Sequence, residues 1–226
     1  MKAAKFRDIR HWVFDLDNTL YAPDGRLFAQ IEVKMTDWVM SALNVARAEA
    51  DRLRTHYWQK YGTTLAGLMA EHNVDPAPYL NEVHDIDLGH LRPDRELAAA
   101  IAALPGRKIV YTNGSAPYAA RVLAARGLSG VFDAVYGVEQ ANFLPKPQRA
   151  AFQTIFERGG TDPRIGAMFE DEPRNLAAPH QMGMLCVHVA PKPSPAPHIH
   201  YHTANLAEFL STVIDRPFSA AAYGPR

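Results

Sequence analysis

Cysteine is nearly missing from this chain of 226 residues, Cys186 being the only one. A lone thiol cannot close an internal disulfide, so a packed core must hold the fold, and a reducing cytoplasm is the expected compartment. Net charge is missing too, because 24 Lys plus Arg balance 24 Asp plus Glu. With no broad field of either sign, neither a nucleic-acid polymer nor an anionic membrane is the expected partner. Long apolar runs are absent. None approaches the roughly 18 residues of a membrane-spanning helix, and the opening MKAAKFRDIRHWVFDLD holds no apolar stretch long enough for a signal peptide. The sequence also shows no internal repeat and no heptad series.

What is present is enough chain to bury about 70% of the surface its unfolded form exposes, which suits one core domain carrying a smaller insertion. His11-Trp-Val-Phe-Asp15 is a short apolar run ending in a carboxylate, followed by Asn18, Thr19 and a Pro23-Asp24-Gly25 turn. It reads as a buried strand emptying into a loop. The next strand-like run is Lys108 to Thr112. Between them, Leu27–Ala46, Arg47–Tyr61, Thr64–Asn73 and Pro76–Val83 carry apolar residues at mixed three and four spacings, which predicts four helices. From Pro93 onward the pattern alternates. Helices are predicted at Asp94–Leu104, Ala116–Arg126, Pro147–Arg158 and Arg174–Met182, with strands at 108–112, Ala134–Val138, Ile165–Phe169 and Met184–Val189. Such alternation implies right-handed crossovers and a mostly parallel sheet. The expected fold is therefore α/β, a doubly wound Rossmann-like core of residues 1–20 and 94–226 with an inserted all-helical cap of residues 21–93. Pro191–Pro197 should be extended, Ala204–Ile214 a last helix, and 217–226 a loosely held tail.

In sheets of this kind ligands sit beyond the carboxyl ends of the strands. Four strand ends or loops there carry polar residues: Asp15 and Asp17, then Thr112-Asn113-Gly114, then Lys146, then Glu170-Asp171. Carboxylates gathered this closely need a cation, and Mg²⁺ is the hard ion for an oxygen-only set. A carboxylate such as Asp15 can attack phosphorus to form an aspartyl-phosphate. Asp17 can protonate the leaving alkoxide and then activate water. Thr112 and the backbone amides around Asn113 and Gly114 can hold phosphoryl oxygens, and Lys146 can neutralise charge shared by nucleophile and phosphate. Asp171, with Glu170 as a further candidate, completes the metal set. Other features read as structural. Cys186 is a small core residue, and His198-Ile-His200-Tyr-His202 is a surface loop leading into the last helix. The aromatics Trp38, Tyr57, Trp58 and Tyr61 pack the helical core. His84, Asp85 and Asp87 are open between leaving-group contact and hinge packing.

FDLDNT at 14–19, TNG at 112–114, Lys146 in LPKP and FEDEPRN at 169–175 resemble the four ordered motifs of the haloacid dehalogenase-like phosphatase superfamily. The resemblance implies a cap at the C1 position, between the first two motifs, and metal ligands from the Asp15 side chain, the Asp17 backbone carbonyl and Asp171. Asn175 stands where many relatives carry a further acid. FDLDNTLY with Leu27-Phe28, His84-Asp-Ile-Asp87, and Leu104-Pro-Gly-Arg-Lys108 before TNGS are similar to the pyrimidine 5′-nucleotidase subgroup. That likeness implies a nucleoside monophosphate such as UMP or CMP as the small-molecule partner. A phosphatase or phosphomutase acting on a sugar phosphate would use the same aspartate pair, and a binding protein that kept its phosphate or metal site is the rival of another class. A dehalogenase proper lacks the second acid, which Asp17 supplies. Monomer and homodimer are both compatible with the sequence.

Overall fold

The computed structural model describes residues 6–23 and 26–214. Asp24, Gly25 and the expected tail at 217–226 lie outside the described residues. Strands β1 (His11–Phe14), β2 (Arg107–Tyr111), β3 (Ala134–Tyr136), β4 (Gly166–Glu170), β5 (Leu185–Val189) and β6 (Tyr201–Thr203) form one parallel sheet in the order β3-β2-β1-β4-β5-β6. β1 lies between β2 and β4, with Val13 paired to Ile109 on one side and Met168 on the other. The winding direction reverses at β1, so a crevice opens beyond its carboxyl end.

Alternation along the strands explains why both faces are covered. Trp12, Phe14, Val110, Ala167, Phe169 and Val187 point to one face, against α5 (Arg95–Ala102), α6 (Ala116–Ala125) and α9 (Leu206–Ile214). Val13, Ile109, Tyr111, Met168 and Cys186 point to the other, against α7 (Arg149–Gly159) and α8 (Ala177–Gln181). Phe14 and Phe169 stack at 4.7 Å between centroids, and both are fully buried. Each such side chain contributes about 2 kcal/mol of burial. Cys186 is buried among these residues, and burial pushes its thiol up to about 12. It is the inert core residue expected of it.

Four helices intervene between β1 and α5: α1 (Arg26–Leu43), α2 (Arg47–Tyr61), α3 (Thr64–His72) and α4 (Pro76–Val83). They enclose a core of their own that includes Val39, Ala50, Tyr57, Leu68, Tyr79 and Val83. α3 can approach α2 because position 67 is glycine; a Cβ there would lie 2.2 Å from the Tyr57 ring. Tyr57, Trp38 and Tyr61 pack this core as expected. Trp58 does not, being 44% exposed.

Several boundaries differ from the sequence reading, each for a local reason. α1 ends at Leu43, short of Ala46, because Asn44 turns left-handed at φ 52. Asp94 caps α5 from outside by accepting the Leu97 N–H, and the helix closes at Ala102. α7 starts at Arg149 and not at Pro147. The predicted helix at 174–182 splits into a 3-10 turn, Pro173–Leu176, and the short α8. β3 stops at Tyr136 because Val138 opens another 3-10 turn. The segment read as a surface loop at 198–202 contributes the edge strand β6. Its imidazoles are tied to backbone: His198 Nε2 donates to Pro173 O (2.7 Å), His202 Nε2 donates to Ala190 O (2.8 Å), and His200 Nδ1 accepts from the Cys186 N–H (3.0 Å). Among the described residues no helix is long and apolar enough to cross a membrane.

Candidate active site

The Asp15 amide donates to Phe169 O (2.9 Å), extending the β1–β4 ladder by one rung before the chain leaves the sheet. Asn18 then turns left-handed (φ 59), and the Thr19 and Leu20 amides fold back onto Leu16 O. This tight turn lifts the carboxylates of Asp15 and Asp17 out of the sheet edge. Asp15 is 4% exposed; its Oδ1 accepts from Lys146 Nζ (2.6 Å) and its Oδ2 from the Thr19 hydroxyl (3.3 Å). Lys146 is 1% exposed, and its remaining protons go to Glu170 Oε2 (2.6 Å) and Tyr111 O (3.2 Å). Three acceptors match the three donors of one ammonium. Burial alone would lower the Lys146 pKa, but Asp15 and Glu170 overcome it and hold the group above its ordinary range.

Asn113 secures that lysine from the main chain, accepting the Lys146 N–H (2.8 Å) and donating to Lys146 O (3.2 Å). The Gly114 N–H donates to Thr112 Oγ1 (2.9 Å). The trio expected to hold phosphate thus divides. The Gly114 amide and the Asn113 side chain have intramolecular partners, which leaves the Thr112 hydroxyl proton and the Asn113 amide as donors for an oxyanion.

Asp15, Glu170 and Asp171 each offer an oxygen within 4.8 Å of the others. Burial first, and Glu170 next, push Asp15 up to about 8 and Asp171 up to about 9. Lys146 is one cation facing three carboxyl groups, so ionising all three leaves negative charge that the protein's own groups do not compensate. Asn175, nine-tenths buried, adds a carbonyl oxygen, Oδ1, with no partner among the described residues. An oxygen-only set with excess negative charge and an unsatisfied acceptor fits a hard divalent cation such as Mg²⁺.

Asp17 Oδ1 accepts two phenol hydroxyls, from Tyr21 (2.7 Å) and Tyr118 (2.7 Å), while burial raises its pKa and these bonds lower it. Tyr118 stacks on His84 at 4.3 Å, and His84 Nδ1 meets Ser115 Oγ at 3.1 Å. His84 thus lines the cavity as a buried packing residue. Asp85 is exposed, 3.9 Å from Lys34, and Asp87 accepts the Gly89 N–H. Burial lowers His84 to about 4. A depressed imidazole favours folding above the unfolded value and loses that contribution as pH falls. Relative to His84→Gln, the native chain should therefore lose up to about 3 kcal/mol between pH 6.5 and 4, read from urea unfolding midpoints across that window.

Sequence reasoning missed Tyr118, Arg174 and the position of Trp58. Arg174 Nη1 donates to Trp58 O (2.9 Å), Nη2 donates to Gly62 O (3.0 Å), and its guanidinium lies 3.6 Å from the Trp58 ring centroid. The loop after β4 is thereby joined to the end of α2. Gly62, at φ 97, sits so close that a Cβ would stand 3.0 Å from Lys146 O. All eight expected site residues line one cavity of about 610 Å³, whose other wall comes from α1, α2 and α4.

Comparison with known proteins agrees with the fold that positions this site. Phosphate metabolism protein 8 of Saccharomyces cerevisiae is 26% identical over 187 residues, covering 76% of this chain and 58% of that protein, so this chain spans little more than half of that relative's length. CbbY from Rhodobacter sphaeroides, solved in complex with phosphate, superposes with a TM-score of 0.64 at 17% identity, over 89% of this chain and 96% of the other. The HAD phosphatase from Thermococcus onnurineus gives 0.62 at 16% identity, over 92% and 98%. Solved dehalogenases share the fold as well. The sequence model of the haloacid dehalogenase-like hydrolases matches residues 9–183, and the chain belongs to that family.

Proposed function

We propose that this hydrolase is a Mg²⁺-dependent phosphomonoesterase that works through an aspartyl-phosphate on Asp15, with a pyrimidine nucleoside 5′-monophosphate as substrate. The observation that carries it is the pair Asp15 and Asp17 at the reversal point of the sheet, the first bonded to a buried lysine and the second to two phenols. Residues 1–20 and 94–226 are taken as the core and 21–93 as the cap over the substrate. The phosphate bound in CbbY and the name of the yeast relative support a phosphate ester, and Asp17 speaks against a dehalogenase.

In this reading the Thr112 hydroxyl and the Asn113 amide steady the phosphoryl oxygens, the Lys146 charge offsets that of nucleophile and phosphate, and an Asp15 oxygen attacks phosphorus. The ester P–O bond breaks, and the Asp17 carboxylic acid gives its proton to the leaving alkoxide. Burial favours that protonated form at the start. The Asp17 carboxylate next takes a proton from water, the hydroxide oxygen attacks phosphorus, and the P–O bond to Asp15 breaks to release phosphate. Mg²⁺, held by Asp15, the Asp17 carbonyl and Asp171 with Glu170 and Asn175 beside them, would neutralise the charge that nucleophile and phosphate bring together.

The test is phosphate release with Mg²⁺ from UMP, CMP, dTMP, AMP, GMP, glucose phosphates and phosphoglycolate. Preference for UMP and CMP is expected. Preference for a sugar phosphate would keep the mechanism and discard the nucleotide, and silence across the panel and across phenyl phosphate would overturn the phosphatase reading.

A further inference from the structure

The cap side of the cavity has two unlike walls. α1 turns Phe28, Ile31 and Met35 into it at three- and four-residue spacing, with Glu32 on the same stripe. α2 turns Asp51, Arg54, Thr55 and Trp58 into it at the same spacing. One wall is largely apolar and the other polar.

Arg54 is the centre of the polar wall. Its Nη1 donates to Thr36 Oγ1 at 2.7 Å, and Thr36, 2% exposed, donates in turn to Asp51 Oδ1 at 2.7 Å. Asp51 and Glu32 stand 3.5 Å from the guanidinium, at the limit of hydrogen bonding. Its Nε–H is buried and has no partner among the described residues. A fork of five donors therefore makes one good bond, and that bond anchors it. Asp51 and Glu32 outnumber the Arg54 guanidinium, so this part of the wall has no positive charge left to attract a second anion; the cation beside it, Arg174, is committed to Trp58 O, Gly62 O and the Trp58 ring.

We propose that Arg54 and Glu32 select the leaving group. Arg54 donates to a carbonyl and Glu32 accepts from an adjoining N–H or O–H, while the body of the group lies on the α1 wall. Such a set takes a neutral, flat leaving group with acceptor and donor side by side, and turns away esters whose leaving group is itself an anion. The proposal rests on the phosphatase reading above.

The test is steady-state kinetics on UMP, phosphoglycolate and phenyl phosphate, whose leaving group has no such edge. Arg54→Met should raise KM for UMP about 30-fold, the cost of a charge-assisted hydrogen bond, with phenyl phosphate turnover unchanged. Arg54→Lys should recover part of the loss, since an ammonium keeps the charge without the fork. Glu32→Gln, at a side chain 53% exposed, should improve phosphoglycolate relative to UMP about threefold. If Arg54→Met fails to fold, the lysine and glutamine variants decide. Equal losses on UMP and phenyl phosphate, no loss on either, or a native preference for phosphoglycolate over UMP would overturn the proposal. UMP hydrolysis that ignores Arg54 defeats this inference alone, whereas no hydrolysis of any ester defeats the phosphatase reading beneath it.

Discussion

Asp15→Asn is expected to lower kcat by at least about 10⁴-fold while leaving the chain folded. The amide has nearly the same volume, its one oxygen still accepts from Lys146, and its NH2 can donate to the Thr19 hydroxyl oxygen in place of the bond the carboxylate accepted, so the packing around a side chain 4% exposed is kept. What it loses is the nucleophilic oxygen and one negative charge of the cation site. The charge has a thermodynamic consequence with a definite sign. Asp15 has its folded pKa raised to about 8 by burial and by Glu170, so its contribution favours folding below about pH 4 and is lost as pH rises toward 8. Without divalent cation, Asp15→Asn should thus be at least as stable as the native chain at pH 8, and the advantage should vanish near pH 4. Thermal melts with EDTA and with Mg²⁺ check both halves, because the variant should also show the smaller rise on adding Mg²⁺. Undiminished catalysis in Asp15→Asn would refute the covalent role outright.

Lys146→Met is expected to remove activity and, unlike the first variant, to damage the fold. The lysine is 1% exposed and is the only cation in hydrogen-bond contact with Asp15 and Glu170 among the described residues. Methionine fills much of the volume but leaves two buried carboxylates and Tyr111 O without their donor. Removing one partner of a buried ionic cluster costs about 3–5 kcal/mol, which for a chain of this size is roughly 10 °C in melting temperature. Arginine should not rescue it, since a planar fork cannot enter a space closed around a primary ammonium. Protonating the stranded carboxylates relieves the defect, so the gap between native and variant should narrow as pH falls from 7 toward 4. A gap independent of pH would mean that the loss is one of packing alone.

The contrast between these residues and the ones that went unread shows what a sequence can carry. Asp15, Asp17, Thr112, Glu170 and Asp171 were legible because each lies within a few residues of a strand end, and Lys146 because it lies just before a helix of the same alternation, which brings these positions to one edge. Their chemistry is local and their assembly follows from topology. Tyr118 and Arg174 offered no such handle. Tyr118 reaches Asp17 across 101 residues of chain and Arg174 reaches Trp58 across 116, so each role exists only once α6 or α2 is docked. Trp58 sits at helical spacing beside buried Tyr57, and periodicity could not tell which of two neighbouring aromatics faced the core. β6 escaped for a different reason. Tyr-His-Thr has no apolar alternation, and this edge strand is held by its pairing with β5 and by imidazole bonds to distant carbonyls.

The joint made by Arg174 bears on the timing of turnover. Two residues, Glu172 and Pro173, separate Arg174 from Asp171 and one peptide bond joins it to Asn175, yet its guanidinium terminates α2 by binding Trp58 O and Gly62 O and lying over the indole. Any swing of α2 away from the sheet must break two hydrogen bonds and a cation–π contact, about 2–4 kcal/mol together. The same swing pulls on the short loop that carries Asp171. In the proposed reading, the helix that walls the substrate cavity and the loop that carries Asp171 would therefore move together, through one guanidinium.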